Sequence, residues 1–182
     1  NSYSASGALW AAADAMRRMG LAKIDPKTGR VAGKTMVVGA AGSIGSVSAR
    51  LLAMSFDEVY LAGRTRDKLE ELKASILKDT PDAKVFTTID YDNLLAEMDM
   101  IVTSTSGAGK SVLDITRVKP GCVITDVARP LDLPASEVAK RPDVLVIESG
   151  EIELPTKVRG MKNIGLPDNV IYACLAETIV LA

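Results

Sequence analysis

Met36-Val37-Val38-Gly39-Ala40-Ala41-Gly42-Ser43-Ile44-Gly45 joins an apolar run to glycines at G-x-x-G-x-x-G spacing, and a helical pattern continues through Val47, Leu51 and Leu52. A strand that empties into closely spaced glycines and then a helix is how α/β proteins build a phosphate site. The bare glycines let the backbone approach a pyrophosphate, and the free N–H groups of the helix N-terminus face its charge. In that reading Gly39, Ala41, Gly42, Ser43, Ile44 and Gly45 contact a dinucleotide. A tight strand-to-helix turn with no ligand is the plainer alternative.

Working outward, apolar and helical patterns alternate. A helix is expected from Ser4 to Met19, with Leu9, Ala12, Met16 and Met19 on one face, followed by a turn-rich connector from Ile24 to Gly33. Strands are expected at 35–40, 58–62, 84–88, 100–104, 122–127 and 144–148. Helices are expected at 43–54 and 66–77, with a short one near 93–98. Strands alternating with helices predict an α/β fold with a doubly wound parallel sheet of Rossmann type, order 3-2-1-4-5-6 and ligands at its carboxyl edge. The organisation predicted is an N-terminal helix and connector over 1–33, a dinucleotide-binding domain over 34–150, and a loop with a C-terminal helix over 151–182. That last helix is expected to start at Pro167 or Asp168. The chain opens on Asn1 rather than Met and stops in an apolar helical run, so it is expected to be part of a longer protein.

The strand edges carry the chemistry. The second expected strand ends Leu61-Ala62-Gly63-Arg64-Thr65-Arg66, with Lys68 one turn on. An NAD site would place an acidic residue here to hold the ribose 2′-hydroxyl. Gly63, Arg64 and Thr65 instead suit a 2′-phosphate, because a guanidinium pairs bidentately with phosphate oxygens. Cations at a helix N-terminus oppose the macrodipole, so a merely solvated basic start is the weaker explanation. NADP(H) is the cofactor this edge predicts. The fourth strand ends in Thr103, Ser104 and Thr105, where the nicotinamide-side ribose would pass, although Ser and Thr are also ordinary turn formers. The fifth ends Thr125-Asp126-Val127-Ala128-Arg129. Asp126 and Arg129 either face the cleft or pair with each other to hold the loop.

Composition narrows the chemistry. The 182 residues are 47% hydrophobic and 25% charged with a net charge of −1, which gives no general pull toward nucleic acid or anionic membrane. No apolar run approaches a membrane span and no signal peptide is visible, so a cytoplasmic setting is expected. The chain has no histidine, which excludes Ser-His, Cys-His and His-metal mechanisms built within it. With only Cys122 and Cys174 present, neither a disulfide framework nor a metal site is expected. Cys122 lies in an expected central strand and reads as core. By spacing, Cys174 shares a helix face with Val170, Ile171 and Ile179 and reads as packing. Glu177, one turn later, would oppose a thiolate unless turned away.

Together these stretches resemble the cyanobacterial-type long-chain acyl-(acyl carrier protein) reductases, which form fatty aldehydes from acyl thioesters with NADPH. Asn1-Ser2-Tyr3-Ser4-Ala5 is similar to that family's Asn-Thr-His-Thr-Ala, with Tyr3 in place of its histidine. Val37-Val38-Gly39-Ala40-Ala41-Gly42-Ser43-Ile44-Gly45-Ser46 resembles its Val-Val-Gly-Ala-Thr-Gly-Asp-Ile-Gly-Ser. Ala62-Gly63-Arg64-Thr65 stands where it has Ala-Arg-Asn. Tyr172-Ala173-Cys174-Leu175-Ala176-Glu177 is similar to its Phe-Ala-Cys-Phe-Ala-Glu, whose cysteine carries the acyl group. The resemblance thus implies a catalytic Cys174, an acyl thioester substrate and an aldehyde product. The Arg64-Thr65 edge and the Ser-Thr run also resemble shikimate dehydrogenases and glutamyl-tRNA reductases. An NADP-dependent alcohol or ketone dehydrogenase and a non-catalytic NADP-binding module are the alternatives.

Overall fold

A computed structural model describes residues 2–107, 109–156 and 164–181. Its centre is a six-stranded sheet of β1 (Val31–Val38), β2 (Phe56–Ala62), β3 (Lys84–Thr88), β4 (Met100–Thr103), β5 (Val123–Asp126) and β6 (Leu145–Glu148). The order is β3-β2-β1-β4-β5-β6 with every pairing parallel, as the alternating pattern predicts. β1 begins earlier than expected, at Val31, with a register irregularity between Val31 and Lys34. The end of the connector therefore forms the amino end of this central strand.

Neighbouring strands end in step. Thr88 pairs with Ala62, Ala62 with Val38, Val38 with Thr103, Thr103 with Asp126 and Asp126 with Glu148. Every turn that follows a strand is thus delivered to one edge, which explains how stretches far apart in the chain converge.

Both faces of the sheet are covered, which is why its strands read as near-continuous apolar runs. One face packs Val37, Leu61 and Val102 against α1 (Ser2–Arg18), α2 (Ser43–Ser55) and α3 (Arg66–Asp79) through residues such as Met16, Leu52 and Leu69. The other face packs Met36, Ile101 and Ile124 against a 3-10 segment at Asp92–Glu97, a second at Ile115–Arg117, and Leu133. Only a one-turn helix, α4 (Ala135–Val138), precedes β6 on that side. Each fully buried aliphatic side chain here contributes about 1.5–3 kcal/mol.

The C-terminal region departs from expectation. No helix begins at Pro167 or Asp168. Instead β7 (Glu151–Glu153) and β8 (Val170–Tyr172) form an antiparallel pair, and α5 (Ala173–Leu181) follows. Asn169 adopts a left-handed backbone, φ 69°. Its side-chain amide donates to the Leu154 carbonyl at 2.5 Å, and its own carbonyl accepts the Leu154 amide at 2.9 Å. A β-branched and aromatic run of three residues takes the strand once such a partner is present. No helix among the described residues is long and apolar enough to cross a membrane.

Candidate functional site

A cleft of about 550 Å³ opens at the carboxyl edge of the sheet, between the turns that follow β1, β2 and β4. Gly39, Ala41 and Gly42 form its floor. Gly39 leaves β1 with φ 85°, and a Cβ there would sit 2.8 Å from the Ser104 carbonyl oxygen. The two turns interlock further through Ser104 N donating to Val38 O at 3.0 Å. Gly45 serves packing: its Cβ would stand 2.2 Å from Gly39 O, so α2 can approach β1 only without a side chain at this point. Gly42 is the N-cap of α2, exposed at the cleft and with no side-chain cap. The amides of Ser43, Ile44 and Gly45 that open the helix find no acceptor among the described residues. Ser43, Ile44 and Gly45 do not themselves line the cleft; they open the helix directly after Gly42, which does.

Gly63, Arg64, Thr65 and Lys68 form the second side. Arg64 and Lys68 are exposed, and neither has an ion-pair partner among the described residues. Thr65 caps α3 by position, but its hydroxyl makes no cap hydrogen bond. Two unpaired cations and a free hydroxyl therefore gather at a helix N-terminus, where positive charge is intrinsically unfavourable. That arrangement fits a phosphate, and the bare Gly42 cradle beside it fits a pyrophosphate.

Ser104, Thr105 and Gly107 form the third side, with Ile89, Tyr91 and Val112 nearby. The Ser104 hydroxyl donates to Val38 O at 3.4 Å. Thr103, one residue earlier, is fully buried in β4 and does not reach the cleft. Thr105 is held by a residue that pattern reading did not single out: Asp132, itself fully buried, accepts the Thr105 amide at 2.7 Å and the Thr105 hydroxyl at 2.5 Å. The Tyr91 phenol donates to Val112 O at 2.6 Å, and Val112 N donates to Asp132 O at 3.2 Å, so this wall is one connected network. Burial pushes the Tyr91 phenol up from its usual range, with Asp92 and Asp132 adding to it.

Asp126 does not line the cleft. Its carboxyl is fully buried beneath the loop after β5, where it accepts the amides of Ala128 at 3.0 Å and Leu133 at 2.9 Å. Burial pushes the Asp126 carboxyl above its usual value, against the pull of those two amides. The expected Asp126–Arg129 pair does not form. Arg129 instead reaches Glu151 at 2.9 Å and the Ala128 carbonyl at 2.9 Å. Asp126 holds a loop, and the loop in turn presents Asp132.

Cys174 is exposed in the first turn of α5, against the packing role its spacing predicts, whereas Cys122 is buried as expected. Burial pushes the Cys122 thiol up to about 12. Ala173 N donates to Gly150 O at 2.8 Å, and Gly150 lies beside Val127, so α5 starts at the same edge of the sheet as the cleft. Cys174 is not among the cleft-lining residues. Glu177 lies on α5, which packs against α1, and its carboxyl is held below the usual carboxylate range at the start of α1. No group of three or more potential metal-ligating side chains occurs among the described residues.

Comparison with known proteins follows the same outline. An aminotransferase PigE of a Serratia species is 32% identical over 148 residues, covering 80% of this chain but 17% of that protein. A glutamyl-tRNA reductase of Corynebacterium efficiens is 31% identical over 123 residues, 65% of this chain and 26% of that one. The chain thus spans about a sixth and a quarter of these two relatives. Among solved structures, quinate dehydrogenase from Corynebacterium glutamicum in complex with NAD superposes with a TM-score of 0.57 at 18% identity, over 79% of this chain and 50% of that one. The likeness is one of fold. The family model described as shikimate / quinate 5-dehydrogenase matches residues 22–153, a span that holds the whole parallel sheet and every turn lining the cleft, and the chain belongs to that family.

Proposed function

We propose that this chain binds NADP(H) and forms the hydride-transferring part of an oxidoreductase of the shikimate/quinate dehydrogenase type, acting between an alcohol and its ketone. One observation carries the reading: the groups around the cleft that have no partner among the described residues, namely the amides opening α2 and the cations Arg64 and Lys68. Gly42 and those amides would hold the pyrophosphate, Arg64 with Thr65 the 2′-phosphate, and Ser104 with Thr105 the nicotinamide ribose. The bound nicotinamide supplies the hydride. The chain's own part is to orient its ring at the carboxyl edge. The family match and the likeness of fold to a quinate dehydrogenase solved in complex with NAD support this reading.

A second reading rests on the exposure of Cys174 and on Glu177 being engaged by α1. In it the Cys174 sulfur displaces the thiol of an acyl thioester, and hydride delivered to the acyl carbon releases an aldehyde and frees the sulfur. The glutamyl-tRNA reductase relative and the resemblance to acyl-(acyl carrier protein) reductases lend it support.

One pair of assays separates the two. The dehydrogenase reading expects NADP⁺-dependent oxidation of shikimate or quinate that survives Cys174→Ala. The thioester reading expects an acyl mass added by a long-chain acyl thioester without NADPH, and lost in Cys174→Ala. Cys122, with its thiol held up at about 12, should take no adduct while the protein is folded. Absence of NADPH binding would overturn both.

A further inference from the structure

We infer that Asp132 is a positioning residue for the nicotinamide half of the cofactor, because it turns the Thr105 hydroxyl into a pure hydrogen-bond acceptor toward the cleft. The inference rests on the NADP(H) reading above and adds to it a polarity that the lining residues alone do not reveal.

Asp132 is fully buried and does not line the cleft, whereas Thr105 does. The Thr105 amide donates to Asp132 Oδ2 at 2.7 Å and the Thr105 hydroxyl to Oδ1 at 2.5 Å. A hydroxyl has one hydrogen and two lone pairs. With its hydrogen directed at a buried carboxylate, the Thr105 oxygen keeps only lone pairs for a ligand. It therefore selects a donor, either a ribose hydroxyl or the carboxamide N–H at the nicotinamide end. In the strand order of this sheet, the turn after β4 lies across the switch point from Arg64, on the nicotinamide side.

The carboxylate has little room to swing. Val112 N donates to the Asp132 carbonyl at 3.2 Å, and the next residue, Leu133, is held by Asp126 through its amide at 2.9 Å. Thr105 is confined as well. A Cβ on Gly107 would meet Val112 Cγ1 at 2.9 Å, Asp132 Oδ1 at 3.0 Å and Thr105 Oγ1 at 3.1 Å, and a Cβ on Gly39 would meet Thr105 Cγ2 at 3.0 Å. Both glycines keep space that the Thr105–Asp132 contact occupies.

Asp132→Asn tests the polarity with almost no change of shape. The asparagine oxygen must face the Thr105 amide, so its NH₂ faces the Thr105 oxygen and drives the hydroxyl hydrogen into the cleft, donor against donor. By calorimetry, NADPH should bind about ten- to a hundredfold more weakly, while 2′,5′-ADP, which lacks the nicotinamide half, should keep its affinity within about twofold. Thr105→Val removes the acceptor outright and should show the same split. The double variant should be no worse than either single one, because both delete one interaction. The 3-acetylpyridine analogue of NADPH separates the two donors. A loss that persists with it assigns the ribose hydroxyl, and a loss that vanishes assigns the carboxamide.

Equal weakening of NADPH and 2′,5′-ADP in Asp132→Asn would reduce Asp132 to a fold-holding residue and overturn the inference, as would unchanged NADPH binding. Failure of the unmutated protein to bind 2′,5′-ADP would be a different result. It would overturn the cofactor reading itself, and this inference with it.

Discussion

On the side of the cleft built from the turns after β1 and β2 the amides opening α2 and the guanidinium of Arg64 have no partner among the described residues, whereas on the β4 side the Thr105 amide and hydroxyl are both held by Asp132. The first wall is made of groups left open, so a ligand supplies what the fold does not. The second is made of groups already satisfied, so the fold decides in advance which polarity a ligand meets. Groups of the first kind bring affinity and charge selectivity. Groups of the second kind bring orientation, since a hydroxyl that cannot rotate accepts only one arrangement of its partner.

The largest expected effect breaks the first wall from behind. Gly45→Ala places a Cβ 2.2 Å from Gly39 O and 2.9 Å from Ala40 Cα, both main-chain atoms that cannot step aside without moving β1. A loss of about 3 kcal/mol or more is expected, read by denaturant unfolding. Gly42→Val sharpens the contrast. Gly42 has an ordinary extended backbone at the mouth of the cleft, and a Cβ there would stand 3.2 Å from Gly39 O, a contact relieved by a few tenths of an ångström. The fold should therefore persist at some cost in stability while NADPH and NADH binding both fail. Unaltered binding would make the glycine turn architecture only.

Next in size, Arg64→Asp should weaken NADPH by about 2–3 kcal/mol, the range of a hydrogen-bonded charge pair, and NADH by about 0.5 kcal/mol or less. Equal losses for the two cofactors would remove the 2′-phosphate from this edge.

The smallest effect probes what stands beneath the second wall. Asp126→Asn leaves one of two loop amides facing an NH₂ and should cost about 1–2 kcal/mol. The sign of its pH dependence follows from burial. Because the folded carboxyl titrates above its usual 3.8, its protonation favours the fold in acid, and that contribution is lost as pH rises through the folded value. The deficit of Asp126→Asn should therefore narrow as pH rises above the usual carboxylate value of 3.8. A deficit that widened with pH would mean that the two amides outweigh burial.

What could be read from residue order alone was whatever depends on neighbours in the chain. Met36-Val37-Val38 followed by spaced glycines declares a buried strand and a glycine turn into a helix, because both faces of a parallel strand are apolar and close strand–helix approach needs bare backbone. Gly63-Arg64-Thr65 declares a cationic edge by the same local logic, and Cys122 a core position. These features needed no knowledge of what lies across the sheet.

The rest belonged to tertiary structure. Val170-Ile171-Tyr172 is an apolar run that periodicity cannot assign, and it became β8 because Glu151–Glu153 arrived beside it. That strand moved the helix start to Ala173 and changed the phase of Cys174, which stands exposed instead of sharing a buried face with Val170 and Ile171. Asp126, expected in the cleft, lies beneath a loop because two amides of that loop converge on it. Asp132 gave no signal as a lone acid between prolines. Its partner Thr105 is brought within 2.5 Å only because β4 and β5 are neighbours ending in step. Local sequence determined the strand, the glycine turn and the basic edge, because those obey steric and dipolar rules a few residues long. Which buried carboxylate meets which hydroxyl was decided by the sheet, because only strand pairing sets the distance between groups remote in the chain.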